Sequence, residues 1–290
     1  MAVAEPVTLA PASRRGLRAR TLSPAVPRRL NIAAASLFGL VTVVALLAPA
    51  LSPHDPLIPA GAPLLGPGHG GFLLGSDSIG RDILSRVLYG LRSSWFAALA
   101  VVAIGVLIGG VVGLIAGAAG GWVDNLLMRF TDLFLALPAP VLAIAVVAAL
   151  GPGFTHTLVA VSIVWWPFYA RIVRGEIRKL AARPHLEAAR LAGTGRIRIA
   201  LRHLLPGAFP ATLVTASLDI GNLVLTLASL SFLGLGQSAP APELGADSAR
   251  NLSFLLQQWW VPVMPGLAVA VLALVGNIAG DGVRNLIEAE

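Results

Sequence analysis

The chain has 290 residues, of which 56% are hydrophobic and 12% charged, with a formal net charge of +7 and a mean hydropathy of +0.81. One soluble core of this length does not need so much apolar side chain, so a lipid bilayer is the expected solvent. The absence of cysteine excludes disulfides, zinc–thiolate sites and thiol nucleophiles. The single lysine, Lys179, lies outside any G-x-x-x-x-G-K-[ST] sequence, which excludes ATP binding through a P-loop.

Apolar runs along the chain predict six membrane-spanning helices, because about 20 helical residues cross the hydrocarbon core. The predicted spans are 32–51, 95–117, 126–150, 157–172, 211–234 and 261–278. The fourth is short and contains Pro167, which leaves its ends poorly defined. The predicted fold class is an all-α integral membrane protein with about six transmembrane helices.

The basic residues predict the orientation, because cytoplasmic loops carry an excess of Arg and Lys. Most of the 21 basic residues precede the first span or follow the fourth, on what is then the cytoplasmic side. The predicted outer side holds Arg81, Arg86, Arg92 and Arg250. Both termini are therefore expected on the cytoplasmic side. The alternative for the first run is a secretory signal peptide, but its apolar stretch is longer than a usual signal core.

Glycines recur at every fourth position of the second span. They are Gly105, Gly109, Gly113 and Gly117, with Gly121 beyond the predicted end. Such a stripe lies on one helix face and allows another backbone to approach closely. A helix-packing role is predicted.

Ionisable residues in the spans are informative because charge in lipid is costly and usually faces the protein interior. Asp219 lies deep in the fifth span without a charged partner one turn away, which predicts a place on a translocation path or at a subunit interface. Local ion pairs are predicted for Asp132 with Arg129 and for Asp281 with Arg284.

Charged residues at near-helical spacing precede the second span. Asp77, Arg81, Asp82 and Arg86 lie within residues 74–92, which predicts an interfacial helix at the outer rim held by pairs such as Asp82–Arg86. A scaffold role is favoured here over substrate contact.

The region between the fourth and fifth spans is too polar to cross a membrane. Pro184 suits the first turn of a helix, Glu187 falls where the helix dipole favours an anion, and Gly193 can end it. So short a helix of small residues cannot stabilise itself and is expected to dock on a partner. Residues 196–204 predict an amphipathic helix at the inner interface, which Pro206 then ends.

These residues carry a resemblance to the permease subunits of ABC importers. "EAARLAG" followed by "LP" resembles their E-A-A-x-x-x-G-x9-I-x-L-P motif, although His203 stands at the usual Ile position. Five further stretches are similar to the C-type subunits of the oligopeptide, dipeptide and nickel branch. They are "LGSDSIGRDILSRVLYGLRSS", "GGWVDNLLMR", "WPFYARIVRGE", "SLSFLGLG" and "GDGVR". The chain departs from the branch at Gly207, at Asp219 and in the outer loop "APAPELGADSARN", so docking details and substrate stay open.

The resemblance implies a division of the chain. Residues 1–30 are the cytoplasmic basic tail, 31–51 the first transmembrane helix, 52–94 an extracytoplasmic segment with the interfacial helix, 95–284 the permease core with its cytoplasmic coupling loop 173–208, and 285–290 the cytoplasmic C-terminus. The implied fold is that of a type I ABC importer permease, and the implied location is the inner membrane of a bacterial cell.

The resemblance also implies partners. These are a homologous B-type permease subunit, two ATPase subunits or one fused ATPase with two nucleotide-binding domains, an extracytoplasmic solute-binding protein, and the bilayer. The residues implied in ATPase coupling are Leu186, Glu187, Ala188, Ala189, Arg190, Leu191, Ala192, Gly193, Leu205 and Pro206. Glu187 could pair with Arg190 or with an ATPase cation. ATP and Mg are expected on the partner ATPase, and no cofactor, catalytic group or metal site is expected in this chain.

The predicted function is therefore that of a non-catalytic permease subunit, with import of oligopeptides favoured over dipeptides. Nickel, glutathione and haem importers share the same permease pattern and remain alternatives. An ion-driven secondary transporter is more distant, because it would normally carry several midplane charges. A membrane-anchored nucleic-acid binder is disfavoured because the basic loop lacks interleaved aromatic residues.

Overall fold

The computed structural model describes residues 28–288, and within this range the chain is helical apart from its loops and one isolated bridge between Ser76 and Asp82. The predicted tail therefore lies almost wholly outside the described residues. The helices are α1 (Arg28–Leu51), α2 (Ile83–Ala119), α3 (Gly121–Leu135), α4 (Ala139–Leu150), α5 (Phe154–Ala181), α6 (Pro184–Leu191), α7 (Arg196–Ile199), α8 (Leu205–Phe232), α9 (Leu244–Arg250) and α10 (Trp260–Glu288). Five segments are long and apolar enough to cross a membrane, and α3 with α4 can form a sixth crossing.

The helices alternate in direction, so the bundle has two distinct ends. The α6 end carries α6, the start of α3 and both ends of the described chain, where Asn285 donates to Asn31 across 3.2 Å. The α9 end carries α9 and the loops that precede α2 and α10. The main apolar core lies between these ends and is centred on Trp95, Tyr169 and Leu223, which are fully buried.

The predicted third span, 126–150, is not one continuous helix. It is two helices, α3 and α4, bent by 85° at residues 136–138. Pro138 lies at the break and Pro140 follows it. A proline disfavours helical backbone in the preceding residue and lacks an amide donor, so the helix ends here.

Two other helices run beyond their predicted ends. Helix α5 continues through Pro167 to Ala181, so residues 173–181 of the predicted loop are helical. At Pro206 the chain does not stop either, because a π-helical turn at Ala200–Leu204 joins α7 to α8. The Leu205 amide donates to the Ala200 carbonyl there, and this wider turn accommodates the proline.

The glycine stripe lies directly against α5. A Cβ atom on Gly109 would sit 2.5 Å from the Trp166 carbonyl oxygen, and one on Gly113 would sit 2.5 Å from the Ala170 carbonyl oxygen. Gly105 and Gly117 face the side chains of Tyr169 and Ile177. The two helices therefore approach to backbone contact, as small residues permit in membranes.

We expect Gly109→Ala to destabilise the protein by about 1–3 kcal/mol, because the added methyl meets backbone that cannot move aside. Gly110 is the matched control, since a Cβ there meets nothing within 4 Å. Gly110→Ala should be neutral or stabilising by up to about 1 kcal/mol through its higher helix propensity. Thermal unfolding of the two variants in detergent measures the difference, and equal midpoints would contradict the close packing.

Candidate functional site

Helix α6 is anchored to the bundle through Leu186. This side chain is 1% exposed and packs with Ile177 and Leu180 of α5 and with Leu204 beside α8. A single buried leucine therefore fixes a helix of eight residues to two spanning segments. Leu186 was predicted as a coupling residue, and the structure places it as the anchor rather than on the outer face.

The outer face of α6 combines small alanines with one acidic and one large apolar side chain. Glu187, Ala188 and Ala192 are exposed, Ala189 is half-buried, and Leu191 is 87% exposed. Leu191 is thus a large apolar side chain that projects from α6 beside exposed alanines. The side chain of Arg190 lies outside the described residues, so the predicted contact with Glu187 is not resolved.

Gly193 ends α6 in the left-handed conformation that the sequence pattern requires. Its φ is +80°, and the next amide, of Thr194, donates to the Ala189 carbonyl at 3.1 Å. Together these form the helix-terminating arrangement that favours glycine. Leu205 and Pro206 are exposed at the start of α8, near the same end of the bundle.

The base of α5, next to α6, is fixed by an ion-pair cluster that sequence reasoning missed. Asp124 of α3 is 1% exposed, accepts a hydrogen bond from Arg174 at 2.7 Å and forms an ion pair with Arg178 at 2.7 Å. Asp132 pairs with Arg171 at 2.6 Å, so the predicted Asp132–Arg129 pair is wrong. The signal was present as arginines at 171, 174 and 178, a spacing that places them on one face of α5.

The four predicted outer-rim residues lie at the α9 end, but not in one interfacial helix. Residues 74–82 are irregular, and α2 begins at Ile83 and continues without interruption to Ala119. Asp82 caps this helix by accepting from the amides of Leu84 and Ser85. The Asp82 carboxylate is occupied by amides of the first helical turn and does not pair with Arg86. The predicted Asp82–Arg86 pair is therefore wrong.

Arg81 and Arg86 have other partners. Arg81 pairs with Asp77 at 2.6 Å, where the two side chains are 14% and 3% exposed. Arg86 is buried and donates to both carboxylate oxygens of Asp247 in α9, at 2.6 and 3.1 Å. Its remaining donors reach the carbonyls of Pro56 and Pro240, at 2.8 and 3.2 Å. These contacts tie the start of α2 to α9 and to the loops that precede α2 and α9.

A second buried acid caps α9. Glu243 is 4% exposed and accepts from the amides of Gly245 and Ala246, at 3.4 and 2.8 Å. Burial raises the pKa of the Glu243 carboxyl, while the amide donors oppose that shift. Buried carboxylates and their hydrogen bonds thus connect the loops and helix starts of the α9 end, and the outer-rim scaffold role stays a prediction.

Asp219 lies within the bundle and is 9% exposed. Its Oδ2 accepts from the Trp165 indole and from the Tyr169 hydroxyl, the latter at 3.1 Å, and its Oδ1 accepts from the Asn222 amide at 3.4 Å. All three donors are neutral. Among the described residues the ion pairs involve other carboxylates, so no partner charge is visible at Asp219. The described residues also contain no cluster of His, Asp and Glu that could hold a metal ion.

Comparison with known proteins gives consistent matches. The family model for binding-protein-dependent transport system inner membrane components matches residues 109–290. The probable D,D-dipeptide transport system permease protein DdpC of Escherichia coli is 38% identical over 260 residues, which cover 89% of this chain and 87% of that protein. The di/tripeptide transport system permease protein DppC of Pseudomonas aeruginosa is 38% identical over 255 residues, covering 86% and 84%. The glutathione transport system permease protein GsiD of Pectobacterium atrosepticum is 42% identical over 215 residues, covering 74% and 71%.

A solved structure shares the fold. It is an inward-facing conformation of the MetNI methionine ABC transporter, which matches with a TM-score of 0.54 and 20% identity. The match covers 70% of this chain and 95% of the compared one. At this identity the likeness concerns the arrangement of the helices alone.

Proposed function

Because the chain belongs to the family of binding-protein-dependent transport system inner membrane components, we propose that it forms half of the translocation pore of an ATP-driven importer of peptides. The chain is an all-α, multi-pass permease subunit of the inner membrane and is not an enzyme, since ATP hydrolysis belongs to the partner ATPases. The observation that carries the mechanism is the exposed α6, anchored by Leu186 and presenting a small-residue face.

In this proposal α6 is the coupling helix that inserts into a cleft on the ATPase. Its flat face of alanines permits close contact, and Leu191 fills a pocket on the partner. Close-packed contacts transmit rigid-body motion, so closure of the ATPases around ATP and Mg turns the spanning helices through Leu186. Glu187, Arg190, Leu205 and Pro206 border this contact.

The orientation follows from the same proposal. The α6 end, with both termini, faces the cytoplasm, and the α9 end faces the extracytoplasmic solute-binding protein. The basic residues of α7 and the adjoining π-helical turn then lie at the cytoplasmic surface, where anionic headgroups attract them. The other proposed partners are a homologous B-type permease subunit and two ATPase subunits or one fused ATPase. Asp219 lies on the translocation path or at the interface with the B-type subunit.

The substrate class rests on relatives whose names specify dipeptides, di- and tripeptides, and glutathione. All of these named substrates are peptides, since glutathione is itself a modified tripeptide. The preference for oligopeptides over dipeptides stays a prediction. Nickel and haem are the alternative cargoes of the same permease class.

The proposal is tested by uptake into proteoliposomes that contain the complete importer, with and without this subunit. Labelled peptides of two, three and five residues, glutathione, nickel and haem are offered in parallel. We expect peptide uptake that requires ATP, requires this chain and survives collapse of a proton gradient. Uptake driven by the proton gradient without ATP would identify a secondary transporter, and uptake of nickel or haem without peptides would overturn the peptide assignment.

A further inference from the structure

A polar stripe runs along one face of α8 within an otherwise apolar helix. It consists of Asp219, Asn222, Thr226 and Ser229, at alternating spacings of three and four residues. This spacing places the four side chains on one helix face. Asn222 and Ser229 are exposed, Thr226 is half-buried, and Asp219 lies at the inner end of the row. The stripe extends about 15 Å toward the α9 end.

The hydroxyl groups of the stripe present acceptors rather than donors. The Thr226 hydroxyl donates to the Asn222 carbonyl at 2.9 Å, and the Ser229 hydroxyl donates to the Leu225 carbonyl at 2.7 Å. A hydroxyl has one proton and two lone pairs, so once that proton is used within the helix only the oxygen lone pairs face outward. The exposed row therefore offers oxygen acceptors that lead to a carboxylate.

Asp219 itself has unused accepting capacity. Its Oδ1 has one contact, the Asn222 amide at 3.4 Å, while an ionised carboxylate has about four lone-pair sites. Its three donors orient the group without neutralising its charge. A carboxylate held in this way inside a membrane bundle is complementary to a small cationic donor.

We propose that Asp219, with the acceptor row Asn222, Thr226 and Ser229, is a transient binding subsite for the α-ammonium group of the transported peptide. This inference rests on the proposed function, because an unblocked peptide carries that group. Neutral donors stabilise the Asp219 carboxylate less than a permanently bound cation would, so the carboxylate stays able to bind an ammonium group. Transport requires such a site, since a group must bind well enough to enter and weakly enough to leave. A permanent ion pair with another subunit would not require a row of acceptors leading to it.

The test uses the whole transporter in lipid nanodiscs without the solute-binding protein, so that the specificity of that protein does not contribute. Because the Trp165 indole donates to Asp219, binding there should change Trp165 fluorescence, obtained as the difference between the wild type and Trp165→Phe. The probes are alanyl-alanine and N-acetyl-alanyl-alanine, which differ in the ammonium group. We expect the free dipeptide to bind the wild type about tenfold more tightly than the acetylated one.

Asp219→Asn should remove that preference, so that both probes bind equally weakly. The double variant Thr226→Val with Ser229→Ala should weaken the free dipeptide while Asp219 is intact, and it tests the row if Asp219→Asn does not assemble. Asp132→Asn is the charge control, because Asp132 lies on α3 with an exposed ion pair, and it should leave the preference unchanged.

Equal binding of both probes to the wild type, or an unchanged preference in Asp219→Asn, would overturn the subsite. So would loss of the partner permease from the purified Asp219→Asn complex while the double variant keeps the full preference, since that result identifies a subunit ion pair. These outcomes are distinct from failure of the proposed function, in which the wild-type transporter imports no peptide at all.

Discussion

Arg86→Gln is expected to lower the free energy of unfolding by about 3–5 kcal/mol, which is the usual cost of breaking a buried ion pair. Arg86 and Asp247 are 4% and 6% exposed, and the substitution leaves the aspartate with the more distant Arg250, at 3.2 Å, whose side chain is 31% exposed. It also removes the donors to Pro56 and Pro240, which connect the loops of the α9 end. Thermal unfolding in detergent and the amount of protein in membranes are the measurements.

The matched control is Lys179→Gln. Lys179 and Glu176 form a pair at 2.6 Å, but the lysine side chain is 73% exposed, so its loss should cost less than about 1 kcal/mol. The double variant Arg86→Gln with Asp247→Asn should recover part of the stability, because the buried carboxylate charge is then removed together with its buried cation. Equal unfolding midpoints for Arg86→Gln and Lys179→Gln would contradict the structural role of the buried pair.

Arg86 also shows where local sequence patterns mislead. Asp82 stands four residues earlier, which is the spacing of a helical ion pair, but it is used as the cap of α2. The actual partner, Asp247, is 161 residues away in the chain. One sequence contains no signal for that contact, because it depends on how α9 folds back over the start of α2.

The spans and the glycine stripe could be predicted because both follow from periodicity along one helix. Gly109 and Gly113 identify a closely packed face, although only the structure shows that α5 covers it. The break between α3 and α4 could also have been predicted, since Pro138 and Pro140 stand within the apolar run. The continuity at Pro206 could not, because it depends on a π-helical turn that sequence patterns do not indicate.

Asp219 was identifiable as an isolated charge, but its surroundings were not. Trp165 and Tyr169 lie in α5, 54 and 50 positions before Asp219, beyond the reach of any local sequence pattern. Similarly, the sequence predicts α6 as a helix of small residues, but only the packing shows that Leu186 is buried and Leu191 is exposed. One of these leucines is 1% exposed and the other 87% exposed. That separation determines which residue to change in order to test coupling.

Leu191→Asp is expected to reduce ATP-driven uptake by at least about tenfold while the protein stays folded in the membrane. Burying a leucine side chain in a partner pocket contributes about 1.5–3 kcal/mol to the free energy of docking. An aspartate would remove that contribution and place a charge in the contact. Each 1.4 kcal/mol corresponds to about a tenfold change in the docking equilibrium. Uptake, ATP hydrolysis and co-purification of the ATPase are measured on the same preparation.

The matched control is Leu191→Met, which keeps an apolar side chain of similar volume and should retain most of the uptake. Ala188→Trp is a second variant, because Ala188 is exposed and a bulky side chain there would hold the partners apart. Ala189 is a poorer choice, since it is half-buried and bulk there would also disturb α6 itself. If Leu191→Asp imports peptide at the wild-type rate, α6 does not dock through its exposed face. If the methionine variant fails equally, the loss cannot be assigned to the apolar contact.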